Sequence, residues 1–194
     1  YNDGRSGTVY IPFSDGGNGN YVATDYAPFM GCDTSSGFTV SYFQRVNGSL
    51  WTDKETITLA QGTTGENKYF TIGTEGYIRF NNGNGGSDSS LSSAGLYFDY
   101  TTQNGSLVKG KWQYVTVSII SDYHFKVYID GALSADVTVT GTDNYASTGG
   151  LLNFLASENT KLYYGSYTPY WGTDTISLDN VKCFDHALSS SEAA

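Results

Sequence analysis

The segment Lys111 to Gly131, KWQYVTVSIISDYHFKVYIDG, constrains the fold of this chain more than any other. Trp112, Tyr114, Thr116 and Ser118 alternate with Gln113, Val115, Val117 and Ile119, and Phe125, Val127 and Ile129 alternate with Lys126, Tyr128 and Asp130. A helix buries every third or fourth residue, whereas a period of two belongs to strands whose two faces meet different surroundings. Two such strands joined by a short polar turn and closed by Asp130-Gly131 predict a hairpin with one buried face.

The same pattern extends along the chain. Strands are expected at 8–13, 38–46, 55–60, 68–73, 76–81, 95–101, 112–121, 124–130, 133–139, 150–155, 161–165 and 175–184, each bounded by Gly, Asn, Asp, Ser or Pro clusters. Longer loops fall at 14–37, 47–54, 82–94, 140–149 and 165–174. Many short strands without intervening helices predict an all-β, two-sheet antiparallel sandwich of jelly-roll kind. With no internal repeat and no linker-like stretch, residues 1–194 are expected to form a single domain, a size that can bury one core.

Charge narrows the partners. Nineteen Asp and Glu against ten Lys and Arg leave a net charge of −9, which repels phosphate backbones and anionic membranes, so neither nucleic acid nor membrane is an expected partner. No apolar run is long enough for a spanning helix. Abundant Gly, Tyr, Asn, Ser and Thr with few Lys match extracellular β-rich modules, and the start at Tyr1 rather than Met suggests a module cut from a longer polypeptide. The expectation is a secreted or cell-surface protein, monomeric in this domain and covalently linked to catalytic or adhesion domains. Cys32 and Cys183 sit near opposite ends of the sequence, leaving open either a disulfide between first and last strands or two free buried thiols.

Ile176-Ser-Leu-Asp-Asn-Val-Lys-Cys-Phe184, a strand, runs into Asp185-His-Ala-Leu-Ser189 and Glu192, a short turn or helix. With the Trp112-x-x-Val115-x-Val117 strand and the Tyr128-x-Asp130-Gly131 hairpin end, this resembles the concanavalin A-like lectin/glucanase superfamily, in particular its laminin G-like domains. The resemblance runs from about Val9 to Glu192 and implies a carbohydrate-binding module. It also agrees with placing Trp112 as a core or lid residue.

Two surfaces are candidates for contact with sugar. If Phe70, Ile72, Ile78, Phe80, Leu96 and Phe98 face the core, then Tyr69, Thr71, Tyr77, Arg79, Asn81, Tyr97 and Asp99 share the opposite face. Tyrosine rings there would stack on sugar C–H faces, with Arg79, Asn81, Asp99 and Gln44 fixing hydroxyls; the alternative is that Tyr is simply a good strand former. The loop Gly165-Ser-Tyr-Thr-Pro-Tyr-Trp-Gly-Thr-Asp174 carries Tyr167, Tyr170 and Trp171 around Pro169 and could project an aromatic anchor, as could Trp51.

Catalysis finds no support. Retaining glycosidases need two carboxylates about 5–5.5 Å apart, and the Glu-x-Asp-x-(x)-Glu strand of concanavalin A-like glucanases is absent, as are the Arg-x-Glu-Leu-Arg and Gln-(Ile/Val)-His strands and the Tyr-x-Lys-x-Gly segment of related lyases. Should an unfamiliar site exist, Asp99 with Asp53 or Glu55 would be the pair to inspect. His124 and His186 lack a nearby nucleophile, and His124 reads as a turn residue. The resemblance further implies a structural Ca²⁺ held by Asp15, in a loop similar to Phe-Asp-Gly-x-x-Asp-Tyr-Val but with Asn20 where an acid is usual, and by Asp179 of the closing strand. The alternative role for both is turn and strand-end hydrogen bonding. The sequence therefore predicts a non-catalytic module for a polysaccharide or glycan, with a protein-binding adhesion module as the alternative.

Overall fold

The structure is a computed structural model that describes residues 9–11, 21–46, 55–61, 68–73, 78–82, 95–98, 108–138, 150–165 and 176–193. Its strands are β1 (Val9–Ile11), β2 (Tyr21–Ala23), β3 (Phe38–Val46), β4 (Glu55–Ala60), β5 (Lys68–Gly73), β6 (Ile78–Asn82), β7 (Gly95–Phe98), β8 (Gln113–Ser121), β9 (His124–Ile129), β10 (Ala132–Thr138), β11 (Lys161–Gly165) and β12 (Ile176–Phe184). They form two six-stranded sheets, sheet A in the order β1-β12-β3-β8-β9-β10 and sheet B in the order β2-β11-β4-β5-β6-β7. Every pairing is antiparallel.

The expected alternation decides which residues meet between the sheets. Phe38, Val40 and Tyr42 of β3, Val115, Val117 and Ile119 of β8, and Phe125, Val127 and Ile129 of β9 face Ile57, Leu59, Phe70, Ile72, Ile78 and Phe80 in one buried cluster. Phe70 and Phe125 stack across it at 6.4 Å. Burying a side chain of this size contributes roughly 1.5–3 kcal/mol. The phenol of Tyr42 is fully buried here, with no hydrogen-bond partner among the described residues, and desolvation pushes its pKa up.

The β9–β10 turn follows from its two residues. Asp130 and Gly131 both take positive φ, 50° and 78°, the backbone of a two-residue hairpin turn. The Asp130 carboxylate accepts hydrogen bonds from the Tyr114 amide at 2.8 Å and from Gln113 Nε2 at 3.2 Å, tying the turn to the start of β8.

Two elements differ from the sequence reading. The expected strand at 150–155 is a short helix, α1 (Leu151–Leu155). It contains no β-branched residue, its Leu151 and Leu155 fall one turn apart and are buried, and Asp122 Oδ1 accepts the Leu152 amide at 2.8 Å. A Cβ at Gly150 would run into that carboxylate. The other difference is β2, which lies within the expected 14–37 loop and pairs through three residues at the edge of sheet B.

The outer face of sheet A is partly closed by the C-terminal segment. Thr39 Oγ1 donates to the His186 carbonyl and accepts from the Leu188 amide, both at 2.9 Å, while Ser118 Oγ donates to the Leu188 carbonyl at 3.1 Å. Tyr128 Oη and Ser190 Oγ lie 3.2 Å apart, and Leu188 and Ala193 are buried. Glu192 Oε2 accepts from both the hydroxyl and the amide of Ser189, and these two hydrogen bonds hold its carboxyl below the usual carboxylate range. Gly37, just before β3, is required by its neighbours: φ is +69°, and a Cβ would run into the Ile119 carbonyl oxygen of β8 and lie 3.1 Å from Ala187 Cβ of the C-terminal segment.

Thr39→Val keeps the shape of the side chain but leaves the Leu188 amide and His186 carbonyl without that partner. It is expected to cost about 1–3 kcal/mol in urea unfolding, and an unchanged midpoint would show that the tail does not depend on this hydroxyl.

Candidate functional site

Beyond the region covered by the tail, the outer face of sheet A is aromatic. On β3 the residues alternating with the core set are Thr39, Ser41, Phe43 and Arg45; on β8 they are Tyr114, Thr116 and Ser118, with Trp112 just before the strand. Register places Asp179, Phe43 and Tyr114 on one rung, and Ser177 beside Arg45 on the next. Phe43 and Tyr114 meet at 4.8 Å between ring centroids, and Tyr114 Oη donates to Ser41 Oγ at 2.7 Å. Arg45 Cζ lies 5.3 Å from the centre of the Trp112 ring. Phe43 and Trp112 nonetheless remain 37% and 41% exposed, so these rings form an open platform on a rigid strand pair.

Trp112 is therefore neither core nor lid. With Val115, Val117 and Ile119 pointing inward, a period of two sends Trp112 to the outer face, beside Arg45. None of Phe43, Arg45, Trp112 or Tyr114 was singled out for ligand contact from the sequence, although the alternation that places them was visible there.

The expected sugar-contact residues fare differently. Tyr69 is 3% exposed and packs with Ala60 and Tyr163, and its neighbour Thr71 is fully buried; the face opposite the core is closed at β5 rather than open to solvent. Thr58 and Thr71 hydroxyls lie 3.1 Å apart on that face, with Thr58 donating to the Gly165 carbonyl. Gln44, 2% exposed, is also withdrawn from solvent, because β3 turns it inward on the Gln113 rung. The backbone register does bring the positions together as expected: Asn81 is opposite Tyr69, and Arg79 is opposite both Thr71 and Tyr97. Side chains of Glu55, Arg79, Asn81, Leu96, Tyr97 and Phe98 lie outside the described set, as do Asp15, Trp51, Asp53, Tyr77, Asp99, Tyr167, Tyr170 and Trp171 altogether.

Asp179 sits at a bulge of β12 where Asn180 has φ of 50°, and its Oδ1 accepts the Asn180 amide at 2.7 Å. Among the described residues no three His, Cys, Asp or Glu side chains gather in a metal-binding group, so a calcium site there would need oxygens from elsewhere in the chain. His124 Nε2 lies 2.6 Å from Asp136 Oδ1, with Lys126 Nζ 3.5 Å from Oδ2, and this cluster holds the Asp136 carboxyl below the usual range. Cys32 and Cys183 are free thiols packed against the core.

Two facing antiparallel sheets packed around one core define an all-β sandwich. Residues 15–194 match the Laminin_G_3 family model, described as the Concanavalin A-like lectin/glucanases superfamily, and the chain belongs to that superfamily. No curated protein sequence matches it. Among solved structures it is similar to the botulinum neurotoxin serotype G binding domain (TM-score 0.57, 12% identity, 96% of this chain and 41% of that one). It is also similar to the serotype D binding domain (TM-score 0.52, 16% identity, 95% of this chain and 40% of that one). At these identities the likeness concerns the fold, and the chain spans about two fifths of either structure.

Trp112→Ala is expected to lower stability by about 1–2 kcal/mol, from the cation–π contact and the covered part of the ring; a loss of about 3–5 kcal/mol in chemical denaturation, the scale of a buried Trp, would return Trp112 to the core. Burial pushes the Cys183 thiol up to about 12, so at pH 8 it stays protonated and weakly nucleophilic. A maleimide is expected to label Cys183 only after denaturant is added, as read by mass spectrometry of peptides; rapid labelling of native protein would contradict this.

Proposed function

We propose that this domain is a non-catalytic carbohydrate-binding module of a secreted multidomain protein. The observation that carries the reading is the open platform of Phe43, Tyr114 and Trp112 on sheet A, flanked by Arg45. Flat rings held on strands offer apolar surface to the C–H face of a sugar, and the neighbouring guanidinium offers planar donors to its oxygens. Membership of the lectin/glucanases superfamily supports the same reading.

A binding role rather than a catalytic one is supported by what four of the described carboxylates do. Asp122 caps α1, Asp130 ties the hairpin turn to β8, Asp136 pairs with His124, and Asp179 holds its own bulge. Each is engaged in local structure. A shallow platform of this kind gives weak binding by itself, and attachment to a second domain would raise residence on a polymer through effective concentration.

Affinity electrophoresis against soluble plant, algal and host polysaccharides tests the proposal. Retardation by one polymer class, lost in a Trp112→Ala variant that still unfolds cooperatively, is the expected result; loss on adding EDTA would implicate calcium. Absence of retardation by every polymer would overturn the reading in favour of a protein-binding adhesion module.

A further inference from the structure

Among the described residues, the charge around the platform is opposite in sign to that of the whole chain. Net charge is −9 with ten Lys and Arg in all, yet Arg45, Lys109, Lys111 and Lys182 adjoin this one end of sheet A. Arg45 lies within it, and Lys182 pairs with Ser41, the residue that anchors the Tyr114 hydroxyl. Lys109 and Lys111 are exposed in the turn leading to Trp112, which is docked on β3 by a 2.8 Å hydrogen bond from the Gly110 amide to the Val46 carbonyl. Among the described residues the carboxylates nearby are Asp130 and Asp179, and both accept backbone amides.

Arg45 is the centre of this arrangement. Its guanidinium lies over the Trp112 ring, and its Nε is buried with no hydrogen-bond partner among the described residues. A planar donor group preplaced beside stacked rings matches a planar acceptor carried by a sugar. We propose that the platform selects acidic polysaccharide, with a uronate carboxylate taken by Arg45 while the sugar rings lie on Trp112, Phe43 and Tyr114. This rests on the sugar-binding reading above and adds the chemical class of the ligand. The negative chain as a whole repels an acidic polymer at long range, but screening confines that repulsion to about 8 Å at physiological salt. Recognition then depends on the local cations.

The test compares polygalacturonate with its fully methyl-esterified form, which keeps the rings and removes the charge. Retention of the acid is expected to exceed that of the ester by about tenfold, the scale of a charge-assisted hydrogen bond, and to weaken in 0.5 M NaCl. Arg45→Gln should abolish the preference, and Lys109→Gln with Lys111→Gln, both at exposed sites, should lower it severalfold without touching the fold. Equal retention of acid and ester, or retention of neutral polymers alone, would overturn the acidic-ligand inference and leave the sugar-binding reading standing. Retention of polygalacturonate unchanged in Arg45→Gln and Trp112→Ala would place its site elsewhere, and failure of every polymer would remove both proposals.

Discussion

The hydroxyl of Thr39 holds the two halves of sheet A's outer face to their different fates. β3 is a central strand, so both its faces must be accounted for, and its outer residues Thr39 and Ser41 are polar yet buried. Burying such groups is tolerable only where they find partners. The segment after β12 brings its own backbone carbonyls and amides to Thr39 and Ser118, and Leu188 covers them. Apolar contact alone would leave that segment free to slide; the hydrogen bonds at both ends of Leu188 fix its register. The contact joins residues 149 positions apart, so it ties the segment after β12 to a central strand far back in the chain.

Where the tail stops, the character of the face changes. Ser41 and Thr116 form one rung with Tyr128 and Lys182, and the next rung carries Phe43 and Tyr114. The platform therefore borders a covered surface on one side and the 108–112 turn on the other. Phe43 and Tyr114 belong to hydrogen-bonded strands, and Trp112 to a turn held on β3 by the Gly110–Val46 hydrogen bond, so a ligand lying on these rings would leave little to order, a main cost of weak binding.

Much of this was legible in the sequence, for reasons that can be traced to particular residues. Period-two alternation at Val115, Val117 and Ile119, and at Phe70, Ile72, Ile78 and Phe80, located strands and sorted inner from outer residues, because burial on one face leaves only one register. The Asp130-Gly131 turn was readable because few other pairs accept two positive φ values. Alternation does not say whether an outer face is covered, and so Tyr69 was expected in solvent but is buried, while Trp112 was expected in the core but is exposed. Gln44 was assigned by its chemistry rather than by its phase with Phe38, Val40 and Tyr42, which puts it inward. Leu151 to Leu155 is apolar enough for either a strand or a helix, and the deciding contact, Asp122 with the Leu152 amide, comes from a residue 30 positions away.

Among the described strands β10 is the last of sheet A, and Leu133 on it is 51% exposed, a combination that elsewhere invites strand-to-strand association between molecules. The pairing with β9 slips between Leu133 and Ala135, and Asp136, held by His124 and Lys126, puts an ionic cluster on the same strand. An irregular backbone offers no continuous ladder to an incoming strand, and a fixed carboxylate penalises desolvation at the seam. On this strand the irregular pairing and the ionic cluster together act as a safeguard against edge-to-edge association between molecules.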